Sequence, residues 1–305
     1  MVEKADAAVE PRLLGGADVT DMRGKTCVVT GATAGIGLEV ARQLAARGAT
    51  VIGVGRDPER CARAAETVQR AAEGGSTRYE VADLSSLAEV TRLAARIAPG
   101  TRAVDVLVNN AGLFAWRRRE STDGIELQLA VNYLAPFLLT GLLLPLLRAA
   151  GRARVVVTSS GSHYAGRMHW DDLGLRRWYS GLKAYGQSKL ATVLFVRELA
   201  RRLGPGASVD AYAADPGLVN TEIALKGSGP IVRLVWKARS SRGIPASEAA
   251  ASIVHLCADP GVEGRTGLYW KEREPREPSL RARDGAEARR LWEESERLCG
   301  FGYAL

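Results

Sequence analysis

Short runs of mostly apolar, β-favouring residues recur at 26–30 (TCVVT), 50–54 (TVIGV), 77–81 (TRYEV), 104–109 (VDVLVN), 153–159 (ARVVVTS) and 208–214 (SVDAYAA). Helix-periodic stretches separate or follow them at about 35–47, 58–73, 86–98, 123–150, 182–203 and 246–258. A strand that reaches the next strand through a helix returns parallel to it, so this alternation dictates a mostly parallel sheet. The runs stay apolar through most of their length, as strands do when helices cover both faces. A seventh run at 267–270 (GLYW) closes the edge. The expected fold class is therefore α/β: one doubly wound domain with about seven strands and helices on both faces.

A chain of 305 residues has room for two average domains, yet no repeat or linker divides 24–272. Residues 1–23 read as an N-terminal extension, 24–272 as the domain and 273–305 as a C-terminal extension. The stretch around its start, KEREPREPSLRARDG at 271–285, is expected to be too charged and too broken by proline to pack, with a terminal helix at 284–298. Within the domain, 224–245 interrupts the alternation with Ile231, Val232, Leu234, Val235 and Trp236. It reads equally as a surface helix and as a substrate lid with an apolar underside.

With 46% hydrophobic and 25% charged residues the chain is globular, and collagen-like, disordered and disulfide-built classes are excluded. The formal charge of +8 permits a polyanion partner, but its arginines are spread over helix surfaces, so no nucleic-acid partner is expected. Cys27, Cys61, Cys257 and Cys299 form no CxxC pair and no metal spacing with His163, His169 or His255. They read as reduced thiols in a cytoplasmic protein without a metal. The N-terminus mixes acidic and basic residues without an apolar core, so neither signal peptide nor membrane anchor is expected. The longest apolar stretch, 133–147, is shorter than the ~20 residues of a span and is broken by Pro136, Gly141 and Pro145, so it reads as a buried or interfacial helix. Helices 123–150 and 182–203 carry more apolar surface than one sheet face needs, which points to a homodimer or homotetramer built helix on helix.

The run 26–30 leads straight into Gly31-Ala32-Thr33-Ala34-Gly35-Ile36-Gly37 and then a helix. Glycines here let the backbone turn tightly and approach a pyrophosphate at the positive end of the helix. Gly31, Thr33, Gly35, Ile36 and Gly37 are the cofactor-binding candidates of this loop. The second strand ends Val54-Gly55-Arg56-Asp57, with glycine where a carboxylate would hold a ribose 2′-hydroxyl. Arg56 can instead grip a 2′-phosphate, which favours NADP(H) over NAD(H), while Asp57 before Pro58 reads as a helix cap. Arg56 facing only solvent is the plainer alternative. Asp83 and Leu84, and Asn109, Ala111 and Gly112, stand at the carboxyl ends of strands, where the ligand crevice lies.

Tyr185 and Lys189, four apart, share one helix face. An ammonium beside a phenol lowers its pKa towards neutrality, as a general acid/base requires. TGATAGIG, NNAG, Asn132 in VNYLAPFLLT, Ser159-Ser160 at a strand end, YGQSK and PGLVNT follow one another in an order that resembles the short-chain dehydrogenase/reductase family over 24–272, a Rossmann fold. The wording of ARVVVTSSGSHYAG, WDDL, YGQSKLATVLF and ADPGLVNTEI is similar to its retinol-dehydrogenase-like branch, whose members act on retinoids, polyprenols and other long apolar alcohols or carbonyls.

The resemblance implies that Tyr185 exchanges the proton at the substrate oxygen, that Lys189 tunes it and holds the nicotinamide ribose, and that Ser160, rather than Ser159, bonds the substrate oxygen. It also implies a water chain at Asn132 and nicotinamide contacts from Pro216, Gly217, Val219 and Thr221. Asp83, Leu84, Asn109, Ala111 and Gly112 would line adenine and ribose or brace the strands. The substrate implied is a small hydrophobic alcohol or carbonyl. Between Ser160 and Tyr185 lie His163, Tyr164, Met168, His169, Trp170, Trp178 and Tyr179, which either wall an apolar pocket or cover the core. Arg117-Arg118-Arg119 is either a solvated face or an anion site. The rival function is a non-catalytic NADP(H)-binding or redox-sensing protein on the same fold.

Overall fold

The computed structural model describes residues 20–217 and 243–305. Val219, Thr221 and all of the lid candidate 224–245 except its last three residues lie outside them. Among the described residues eight strands form one sheet in the order β3-β2-β1-β4-β5-β6-β7-β8. They are β1 (Thr26–Thr30), β2 (Thr50–Gly55), β3 (Thr77–Val81), β4 (Val106–Asn109), β5 (Ala153–Thr158), β6 (Val209–Asp215), β7 (Leu268–Lys271) and β8 (Glu274–Arg276). All neighbours pair in parallel except β7 and β8. The strand order reverses between β1 and β4, and the crevice of such a sheet opens at that switch point.

Helices α1 (Gly35–Ala45), α2 (Pro58–Ala71), α3 (Leu87–Ile97), α4 (Leu127–Leu129), α5 (Ala135–Ala149), α6 (Gly181–Leu203), α7 (Ala246–Ala258) and α8 (Gly285–Cys299) flank the sheet. Asp57 caps α2 as expected: its carboxylate accepts from the Arg60 N–H at 2.9 Å. Buried residues divide into two clusters, one on each side of the sheet. Side chains that alternate along a strand go to opposite clusters: Val28 and Leu107 to one, Val29 and Val108 to the other.

Three expectations change in the tertiary structure. The segment after 272 does pack, since Glu272 and Arg273 take positive φ (53° and 64°) and turn the chain into β8. Trp270 then pairs with Pro275 and Lys271 with Glu274. An outermost strand lacks a partner on one side, so it tolerates proline, and its charges guard the open edge. Secondly, the prolines do not interrupt the helical run from Leu127 to Ala149, 23 residues long and apolar enough to cross a membrane. A π-turn over Ala130–Leu134 joins α4 to α5, Pro136 sits in the first turn of α5, and 83% of the apolar window is buried inside the fold.

The third concerns the apolar surplus of α5 and α6. α8 and the C-terminal tail cover it: Trp292 is 1% exposed, with ring centroids 5.1 Å from Phe137, 6.0 Å from Phe195 and 4.5 Å from Tyr303. The Tyr303 hydroxyl donates to the Phe137 carbonyl at 2.5 Å, and Tyr133 meets Ser295 at 2.6 Å. Gly141 lets this tail approach; a Cβ there would come within 2.9 Å of the Tyr303 ring. Part of the apolar surplus that pointed to a two-fold interface is thus covered from within the chain.

Candidate active site

The loop after β1 owes its shape to contacts that only glycine permits. Gly31 has φ +67°, and a Cβ there would lie 2.9 Å from the Ala111 Cα. A Cβ on Gly37 would strike the Gly31 carbonyl and the Asn110 amide. Thr30 and Asn110 stitch the two loops of the crevice together: the Thr30 hydroxyl accepts from the Asn110 and Ala111 N–H groups at 3.0 Å, and the Asn110 amide donates to the Thr30 carbonyl at 3.1 Å. Ala34 and Gly35 leave the start of α1 open to solvent, so this cradle fits a dinucleotide pyrophosphate. Tyr79 supports the loop from below, its hydroxyl bonded to the Ala32 carbonyl at 3.0 Å.

Arg56 is exposed at the end of β2, and Thr33 lies against Gly55, where a Cβ would meet its methyl group. Asp83 is half-buried and accepts from the Ser85 N–H at 3.0 Å, with Leu84 buried beside it. Asn109 turns into the core instead of the crevice: its amide donates to the Thr140 hydroxyl at 3.0 Å. Gly112 faces the reaction centre, where a Cβ would stand 3.7 Å from Lys189 Nζ.

The end of β5, the π-turn and α6 bring the four catalytic candidates together. Asn132 is buried in the π-turn, where its Oδ1 accepts from the Leu113 N–H at 2.8 Å and its amide donates to the Leu113 carbonyl and the Ser188 hydroxyl, both at 3.0 Å. π-turns recur at functional sites because they displace one side chain from helical register. The two serines part company. Ser159 is buried, bonded to the Lys189 carbonyl and to Thr192, each at 3.1 Å, whereas Ser160 caps the 3-10 turn Gly161–Tyr164 and lies on the side of the Tyr185 phenol. Lys189 Nζ donates to the Thr158 carbonyl at 2.8 Å and lies 5.6 Å from the Tyr185 ring centroid.

In this arrangement the Tyr185 phenol is not drawn towards neutrality. Burial pushes it up to about 12, against the pull of the nearby Ser160 hydroxyl and with a further push from the Asp215 carboxylate. Burial likewise lowers Lys189 to about 8, and Asp215 opposes that fall. Desolvation of both groups outweighs the attraction expected from their spacing.

Several contributors escaped the sequence reading. Phe114 stands edge-on to Tyr185, centroids 5.6 Å apart, with Trp116 4.7 Å behind it, so the loop after β4 supplies an apolar wall. Met168 and Trp170 pack on the core, the covering role left open for the aromatic insertion. Gln128, fully buried, donates to the Ala115 and Gly181 carbonyls and to Tyr179, tying that insertion to the Phe114 loop. His163 is fixed as one tautomer: Nδ1 donates to the Ser160 carbonyl at 2.9 Å and Nε2 accepts from the Ser279 N–H at 3.2 Å. With Tyr164 donating to the Glu277 carbonyl at 2.6 Å, the C-terminal extension clasps the turn that carries Ser160. Asp215, buried at the end of β6, is the other omission. Among the described residues no cluster of three or more His, Cys, Asp or Glu could hold a metal ion.

The short chain dehydrogenase family profile matches residues 25–228, and with them the cradle, the serines and the Tyr185–Lys189 pair. The chain belongs to the short-chain dehydrogenase/reductase family. This dehydrogenase is 41% identical to mouse (Mus musculus) polyprenol dehydrogenase over 92% of its own length and 85% of that protein's. Against human (Homo sapiens) retinol dehydrogenase 13 the identity is 38%, with 91% and 85% covered. A solved structure of an uncharacterized Mycobacterium paratuberculosis protein superposes with a TM-score of 0.77 at 35% identity, over 94% of this chain and 98% of that one. The dehydrogenase is accordingly an NAD(P)-dependent oxidoreductase of CH–OH groups, homologous to polyprenol and retinol dehydrogenases.

Proposed function

We propose that this dehydrogenase interconverts an alcohol and an aldehyde or ketone on a hydrophobic, isoprenoid- or lipid-like molecule, with NADP(H) as its cofactor. The observation that carries the reading is the convergence of Ser160, Tyr185 and Lys189 at one strand end, with the Phe114 and Trp116 rings beside the phenol. The cofactor supplies or takes the hydride. Ser160 and Tyr185 orient the substrate oxygen, and Tyr185 gives it a proton in reduction or removes one in oxidation. Lys189 holds the ribose and brings positive charge to the phenol when protonated. Asn132 keeps the Leu113 backbone in place and opens the proton path to water. Glycine at 55 and the exposed Arg56 support NADP(H), since no carboxylate there repels a 2′-phosphate. The names of its relatives support polyprenols and retinoids as the substrate class.

The test is NADPH consumption against retinal and carbonyl compounds of graded chain length, with NADH in parallel. Turnover is expected to strengthen with chain length and to prefer NADPH. Tyr185→Phe is expected to lower kcat at least 1,000-fold, on the order of a full acid/base contribution, with NADPH binding near wild type. An active Phe variant would sink the mechanism, and preference for short polar carbonyls would sink the substrate class.

A further inference from the structure

Asp215 carries a carboxylate that is 5% exposed, between small neighbours on β6, and among the described residues no arginine or lysine forms an ion pair with it. Burying a charge without an opposite charge beside it is costly, so its presence here calls for a reason. Its neighbours supply one. Oδ1 accepts from the Gly217 N–H at 2.9 Å, and Oδ2 accepts from the Tyr269 hydroxyl at 2.5 Å. Oδ2 also lies against the backbone that follows Ser160, 3.6 Å from where a Cβ of Gly161 would stand. Thr158, whose carbonyl takes the Lys189 ammonium at 2.8 Å, pairs in register with Ala214, the residue before Asp215. Tyr185 on α6, His163 on the 3-10 turn and Tyr269 on β7 also lie within reach of its charge, with Tyr164 beyond Tyr269. Lys271, its partner in the β6–β7 register, sends its ammonium to Glu272 at 3.9 Å.

We propose that Asp215 is a positioning residue of the hydride-transfer site, holding the turn into Gly217 and placing a carboxylate beside the Lys189 ammonium. The two hydrogen bonds alone would be met by asparagine, so the charge is the distinguishing feature. Burial brings Lys189 down to about 8, close to losing its proton at working pH, and the carboxylate acts against that loss. The same charge disfavours the phenolate of Tyr185, so oxidation of an alcohol opens only as pH rises. The inference rests on the proposed roles of Tyr185 and Lys189.

The test compares Asp215→Asn with wild type in the full chain. Asparagine Oδ1 can still take the Gly217 N–H, and its amide can donate to the Tyr269 oxygen. NADP+ binding, read by tryptophan fluorescence from pH 6 to 10, is expected to weaken as Lys189 loses its proton. In Asp215→Asn that midpoint should fall by about one pH unit, the scale of a charge several ångströms away in a partly screened site. The rising limb of kcat/KM for geranylgeraniol oxidation should fall in the same direction. Unmoved midpoints in a folded variant, even with a lower rate throughout, overturn the proposal and leave Asp215 a turn-former only. If Asp215→Asn does not fold, Asp215→Ser removes the charge while its hydroxyl can still cap the turn, and the same shift is required of it. An active Tyr185→Phe would instead overturn the catalytic reading, and the NADP+-binding midpoint would still judge Asp215.

Discussion

Arg56 and Tyr185 show what one residue can settle and what its surroundings must. Arg56 is exposed beside the cradle, and its proposed grip on a 2′-phosphate rests on its own chemistry: a planar guanidinium next to a position without a carboxylate. Replacing it with serine should remove one charge-assisted contact, about 1.5–3 kcal/mol, and raise the NADPH KM about 10- to 100-fold while leaving NADH almost unchanged. Equal effects on both cofactors would remove Arg56 from the 2′-phosphate. The chemistry of Tyr185 was legible as a residue type at a spacing, but its acidity was not. Four residues of helix place the phenol near Lys189, yet the ammonium turns to the Thr158 carbonyl and burial raises the phenol. Sequence spacing gives proximity, whereas pKa depends on everything that replaces water around the group.

Among elements, the C-terminal hairpin departs furthest from expectation. A run of charges and prolines reads as a loop until the position of β8 at the edge of the sheet is known, because edge and centre ask opposite things of the same residues. The hairpin leads on to the Ser279 N–H that reaches His163, whose pKa is lowered chiefly by burial, against its bond to the Ser160 carbonyl and the Asp215 charge. A histidine depressed in the folded state is protonated more readily in the unfolded chain. Its contribution is therefore complete above the usual imidazole range and is lost as pH falls through it. Protonation would also remove the Nε2 acceptor. The Tm is expected to drop from pH 7.5 to pH 5.5, and His163→Gln should flatten part of that drop; an unchanged slope would show that His169 and His255, also lowered by burial, account for it.

For the whole molecule the question is what covers the apolar helices. Trp292 seals α5 and α6 from within the chain, and Arg202 stacks over its outer face at 4.6 Å. Trp292→Ala should cost about 3–5 kcal/mol and lower the Tm by on the order of 10 °C. With this face occupied, light scattering is expected to find wild-type single chains. A stable wild-type dimer would show that a different face associates. If the variant instead keeps its Tm, α8 is not the cover its contacts describe.

The sequence by itself determined the order of strands and helices, the glycine cradle, the Asp57 cap and the residue types of the candidate reaction centre, from Asn132 to Lys189. These are local properties: periodicity, φ freedom, capping and four-residue spacing act within one or two turns of chain. Only the tertiary structure decided that Asn109 serves the core and that Phe114 walls the phenol. The same holds for the charge of Asp215 beside the site and for α8 on a surface that would otherwise invite a partner. Each of those depends on atoms far apart in sequence sharing one dry volume, where burial, and not spacing, sets the energy of a charge and the need for a partner.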